Sequence, residues 1–197
     1  MLVNFNWMHV YIGLAALVII LIVLWKRNKS LSYLFFFSVF WIYMMGVVSE
    51  VVFPFFIPEG PTEFSQKLIN LNILPFNFGG CEMIDLCIRD IYKNILLTIP
   101  FGFGISFILR FKSKNIIWLA LAVGFTFETT QLVILLIFGG GFRSADINDV
   151  IFNAAGVLLG YGLFRILGWL YLFVIQKLNV QPKYIFVYVY NVIADHQ

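Results

Sequence analysis

Between Gly124 and Gly160 the chain reads GFTFETTQLVILLIFGGGFRSADINDVIFNAAGVLLG. It contains two apolar segments, each long enough to enter a bilayer, and both carry polar residues that a spanning helix normally excludes. An ionised carboxylate at mid-bilayer costs about 2.5–3.5 kcal/mol on insertion scales, so Glu and Asp in such segments point to function. Glu128 and Gln131 lie one turn apart and share a helix face. Beyond the Gly-Gly-Gly turn, Asp146, Asp149, Asn153, Gly156 and Gly160 follow at helical spacing and fall within one arc of a second helix. The glycines would let a neighbouring helix come close where the polar stripe needs a partner.

The rest of the chain fits the same reading. Of its 197 residues, 61% are hydrophobic and only 12% charged, and the mean hydropathy is +0.93. An ordinary globular domain carries about 25% charged residues, so a soluble fold is excluded. Apolar runs mark five spans, at 7–25, 31–56, 94–111, 116–138 and 148–174. The expected fold is all-α: a polytopic membrane bundle of about five transmembrane helices, with interfacial amphipathic helices on the outer side. It divides into a first transmembrane helix (1–30), a membrane domain (31–175) and a cytoplasmic tail (176–197). No basic residue precedes the first span, whereas Lys26, Arg27 and Lys29 follow it, so it reads as a retained helix and not a cleaved signal. These residues share one side with Arg110, Lys112, Lys114, Lys177 and Lys183. The positive-inside rule then puts the N-terminus outside and the C-terminus in the cytoplasm. The net charge of +3 marks loops and forms no patch for nucleic acid, which is not an expected partner.

The segment from Pro58 to Lys93 would lie outside, where its acids outnumber its bases. After Thr62, Phe64, Leu68 and Leu71 predict a short interfacial helix. Glu82, Asp85, Arg89 and Lys93 line one face of a second amphipathic helix, a solvated salt-bridge face that leads into the third span. Cys81 and Cys87 are permitted a disulfide on this side, although six residues apart on one helix they point to different faces. His9 and His196 stand at opposite ends of the chain, and no nucleotide-binding, hydrolase or zinc-protease motif is present. Asp146 and Asp149 are oxygen donors of the kind a divalent cation accepts. Two carboxylates three apart are common without one, so no metal or cofactor is expected. The run YIFVYVYNVIA in the tail is too short to span, and suits either the interface or pairing with a partner strand.

Two further motifs complete a pattern. NILPF occurs at 72–76 within NLNILPF, and NILLTIPFGFG at 94–104 opens the third span with Asn94 and interrupts it with Pro100. Together with the E-x-x-Q of Glu128 and Gln131 and the R-S-A-D-x-N-D-x-x-x-N-x-x-G-x-x-x-G run, the chain resembles the VanZ-like family over roughly 31–167. These are bacterial membrane proteins associated with resistance to the lipoglycopeptide teicoplanin. The resemblance implies a bacterial plasma-membrane location and a link to antibiotic resistance, but it carries over no catalytic residues. Site residues therefore follow from their chemistry. Glu128, Gln131, Arg143, Asp146, Asp149, Asn153 and Asn94 are binding candidates, and Glu128, Asp146 and Asp149 are also the candidates for catalysis.

Three function classes remain open. An outward-facing polar cavity could bind the headgroup of a membrane lipid, a lipoglycopeptide or a lipid-linked cell-wall precursor, with the aromatic-rich second span against the acyl chain. A carboxylate pair could act as general base and acid on a lipid-linked substrate, with Arg143 suited to phosphate. The same residues could also serve only as a polar clamp in a structural or partner subunit. The topology is directly testable. A cysteine at Ser144 should react with an impermeant thiol reagent on intact cells and one at Ser113 should not; the reverse pattern would move the polar residues to the cytoplasm.

Overall fold

A computed structural model describes residues 1–57, 71–78, 84–138 and 145–196. Arg143, Cys81 and the short helix expected after Thr62 lie outside the described residues. Among the described residues six α-helices dominate: α1 (Trp7–Lys26), α2 (Leu31–Val51), α3 (Ile84–Gly104), α4 (Ile116–Phe138), α5 (Ile147–Leu178) and α6 (Ile185–Asp195). Four two-residue strands pair at one end of the bundle. β1 (Leu2–Val3) runs antiparallel to β2 (Phe55–Phe56), and β3 (Leu71–Asn72) runs parallel to β4 (Ala145–Asp146).

The helix α1, the helix α2, the segment Ser113–Phe138 and the helix α5 are each long and apolar enough to cross a membrane. The fifth expected span differs. Its sequence belongs to α3, a single helix that joins the anticipated amphipathic segment to the apolar one. The first half of α3 carries Arg89, Asp90 and Lys93, so by composition the described residues hold four such spans and not five. The helix also ends earlier than the expected 111, passing after Gly104 into a 3-10 turn at Ile105–Phe107. Even so, α3 runs the depth of the bundle. Thr98 touches α5 midway, and Phe107 stacks on Phe36 near the start of α2.

The tightest packing joins α3 to α5. A Cβ on Gly160 would stand 2.0 Å from the Ile99 carbonyl oxygen, and one on Gly102 would stand 2.0 Å from that of Val157. At Gly156 the obstacles would be the Thr98 hydroxyl and the Ile95 carbonyl, 2.1 and 2.3 Å away. Lipid tails are as apolar as Leu, so helices in a bilayer gain little from burying Leu. Close van der Waals fit and hydrogen bonds hold them instead. The Thr98 hydroxyl, fully buried, lies within 2.9 Å of the Asn153 carbonyl and bridges the two helices. Gly124 gives α4 a similar approach to Val150 of α5. By contrast α1 is peripheral, with Leu17 its one buried residue and the Trp41 indole donating to the Gly13 carbonyl at 3.0 Å.

The segment expected as a tail packs on the bundle. Ile193 of α6 is buried against Gly168, the Tyr188 hydroxyl donates to the Phe107 carbonyl, and Arg165 donates to the His196 carbonyl. Ser113 donates to the same carbonyl at 3.2 Å and accepts from Tyr161 at 2.8 Å. A helix accounts for the β-branched and aromatic run, because Val189 and Ile193 then share the face turned to the core.

The α3–α5 contact yields a direct test. Gly160→Ala would drive a methyl group into the Ile99 backbone, and overpacking of this kind typically costs about 1–3 kcal/mol. The variant should melt several degrees lower in detergent, whereas Gly162→Ala, which faces open space, should melt near wild type. Equal melting of the two would contradict the packing described.

Candidate functional site

Beside the paired strands β3 and β4, polar side chains form two distinct structures. The first is a clamp. Asp146 caps α5, its Oδ1 accepting the Asn148 N–H at 2.7 Å, and the same oxygen accepts from Asn72 Nδ2 at 2.9 Å. Asn72 also donates to the Asn77 carbonyl at 3.0 Å, and the Asn148 amide donates to that carbonyl at 3.1 Å. Asn148 Oδ1 in turn accepts the Phe76 N–H at 2.6 Å. Phe76 has φ 58°, a left-handed conformation that costs a bulky residue about 1–2 kcal/mol, so these bonds hold the 71–78 segment in a shape it would not take alone. From α4, the buried Glu128 accepts the Asp146 N–H at 2.9 Å. The NILPF and SADxN motifs thus meet through side-chain amides and carboxylates.

The second structure is a cavity of about 580 Å³ between α2, α3, α4 and α5. Asn94, Gln131, Asp149 and Asn153 line it, and so do Glu50, Asp90 and Lys93. Its apolar wall includes Val51, Leu97 and Phe127. Asn153 is only 2% exposed, and its Oδ1 has no hydrogen-bond partner among the described residues. Burying an amide oxygen without a donor costs about 1–3 kcal/mol, so an acceptor is kept here at the expense of stability. Pro54 and Leu96 are exposed where the cavity opens between helices.

Four of the seven expected binding residues, Asn94, Gln131, Asp149 and Asn153, therefore line one cavity. Glu128 and Asp146 belong to the clamp, and Arg143 lies outside the described residues. Of the three candidates for catalysis, Asp149 lines the cavity.

A model of the VanZ/LLP1 family matches residues 40–168. The chain belongs to the VanZ/LLP1 family. No curated protein and no solved structure matches it. The match begins within α2 and ends at Gly168 of α5, so the VanZ/LLP1 region holds both the clamp and the cavity and leaves out α1 and α6.

Three lining residues in this VanZ/LLP1 protein escaped the sequence reading. The sequence places Lys93 on a solvated face and assigns Asp90 to none; both are exposed, and with Asn94 and Leu97 they border the cavity. Glu50 had a legible signal, a carboxylate at the end of an otherwise apolar span. Cys87, at the start of α3, is disulfide-bonded, and its partner lies outside the described residues.

The clamp predicts the effect of Asn72→Ala. It removes the donor to Asp146 and Asn77 and the acceptor for the Leu74 N–H, and should cost about 1–3 kcal/mol. Thermal melting in detergent measures this, and an unchanged midpoint would show that the clamp contributes nothing to stability.

Proposed function

We propose that the polar cavity binds the headgroup of a membrane amphiphile, a lipid or lipoglycopeptide, and that this binding underlies resistance to teicoplanin-type antibiotics. The observation that carries the reading is Asn153, a buried amide oxygen without a donor among the described residues, at a cavity lined by further amides and carboxylates. A ligand that donates hydrogen bonds, through hydroxyl, amide or ammonium groups, supplies what this oxygen lacks. Both candidate ligands are rich in such groups. Among the described lining residues Glu50, Asp90 and Asp149 outnumber Lys93, which favours a donor-rich headgroup over a bare phosphate. The exposed Leu96 and Pro54 at the opening suit an acyl chain that stays in the membrane.

The charge distribution supports an outward-facing cavity at the plasma membrane. Lys29 and Arg110 border a pocket at the end of the bundle opposite to Asp90 and Asp149. Under the positive-inside rule that basic end faces the cytoplasm.

Asn153→Leu separates binding from stability. Leu has as many side-chain heavy atoms as Asn, its greater bulk can extend into the adjoining cavity, and it removes the unbonded oxygen, so the variant should melt no lower than wild type. In a teicoplanin-sensitive bacterium expressing the protein, Asn153→Leu and Asp149→Asn should return the inhibitory concentration to that of cells without it, at normal membrane abundance. Full resistance in both variants would overturn the proposal. Headgroup composition of extracted lipids, compared between wild type and Asp149→Asn, distinguishes binding from chemistry, since only an enzyme would change it.

A further inference from the structure

The opposite end of the bundle holds a second polar pocket, of about 540 Å³, that the acid-lined cavity does not explain. It lies between the α1–α2 turn, the segment after α3, and α6. Lys29 and Arg110 line it, with Asp195 3.3 Å from the Arg110 guanidinium. Ser106 Oγ is buried with no hydrogen-bond partner among the described residues, and the His196 ring lies in the same lining; each residue is 3% exposed. Ser30, whose side chain caps the N-terminus of α2, is also part of the lining, so the positive end of a 21-residue helix faces the same space.

The charges favour a monoanion. Burial pushes the His196 imidazole below its ordinary value, with Arg165 acting in the same sense against Asp195 and a Ser106 backbone hydrogen bond. The ring is then neutral at physiological pH, and the lining counts two cations against one carboxylate. A phosphodiester carries one negative charge and oxygens able to accept from Lys29, Arg110 and the Ser106 hydroxyl together.

An apolar groove adjoins the pocket. This groove, of about 610 Å³, follows α1 and α2 past Ile12, Phe37, Trp41 and Met44, and it shares Ile108 and Leu109 with the polar pocket. Its lining is almost wholly apolar from Phe53 down to Leu109. A free anion would use only the polar part. A molecule with a phosphate at one end and an acyl chain at the other fills both.

We infer that this is a binding site for an anionic phospholipid, with its phosphodiester among Lys29, Arg110 and Ser106 and one acyl chain in the groove between α1 and α2. The site is independent of the acid-lined cavity and would hold a structural or regulatory lipid at the basic face. It also gives the peripheral α1 a partner that its sparse protein contacts do not supply.

The full chain in detergent can be titrated with dioleoyl phosphatidylglycerol, dioleoyl phosphatidylcholine and glycerol phosphate, with binding read by native mass spectrometry and melting temperature. Phosphatidylglycerol should remain bound and raise the melting temperature more than phosphatidylcholine, and glycerol phosphate should do neither. The Lys29→Gln/Arg110→Gln double variant, altered only at exposed side chains, should bind phosphatidylglycerol about ten- to hundredfold more weakly. Ile12→Trp, which fills the groove from an exposed position, should weaken it with both cations intact. Equal responses to the two lipids would overturn the headgroup assignment. A response to glycerol phosphate matching that to phosphatidylglycerol would make the occupant a free phosphate and overturn the lipid. Wild-type affinity in both variants would overturn the location.

Discussion

The arrangement depends on the contact between α3 and α5. Three glycines remove the side chains that would separate these helices, and one buried hydroxyl reaches across. The Thr98 oxygen lies 2.9 Å from the Asn94 carbonyl of its own helix and 2.9 Å from the Asn153 carbonyl of the next. That single group fixes the axial register of two helices whose packed surfaces around Gly156 and Gly160 are otherwise apolar. Asn94 and Asn153 are consequently brought to the same level, where both line one cavity. A shift of one residue along either helix would rotate its polar group by about 100° and disperse the lining.

Within this frame, neighbouring polar residues serve different ends. Glu128 and Gln131 are a turn apart on α4, yet the first is buried on the Asp146 backbone and the second lines the cavity. Asp146 and Asp149 divide in the same way on α5. A buried carboxylate has to be met by donors, and the β3–β4 end of the bundle supplies backbone N–H groups and the Asn72 amide for Glu128 and Asp146. The clamp thereby ties the start of α5 to the 71–78 segment and to α4. With the α3–α5 contact it holds Asp149 and Asn153 on a helix fixed at both its first and its second turns.

Much of this was legible in the sequence. Hydropathy marked four of the five expected spans, and the glycine spacing after Asn153 announced a close helix neighbour, since only a missing side chain lets two backbones meet. The identity of that neighbour was not legible, because nothing in Gly156 or Gly160 points to α3 over another helix. Polarity within an apolar run singled out Glu128, Asp146, Asp149 and Asn153 together, but it did not separate groups that bond backbone from groups that face a void. That distinction rests on Asn72 and Asn148, two amides whose roles appear only when loop and helix start are paired. Asp90 and Lys93 are exposed, as charges on a helix entering the membrane are expected to be; that they also border the cavity follows only once α2, α4 and α5 are in place around α3. The α6 run resisted assignment because its aromatic and β-branched residues suit a strand, while tertiary packing against Gly168 and Phe107 makes it a helix.

The claim that the α2–α5 cavity is a headgroup site is tested most directly by an experimental density map of the protein in lipid nanodiscs. The account predicts elongated non-protein density that enters past Leu96 and ends within hydrogen-bond distance of the Asn153 amide. A cavity occupied only by isolated waters, or closed by the chain itself with the Asn153 amide bonded to protein, would contradict it.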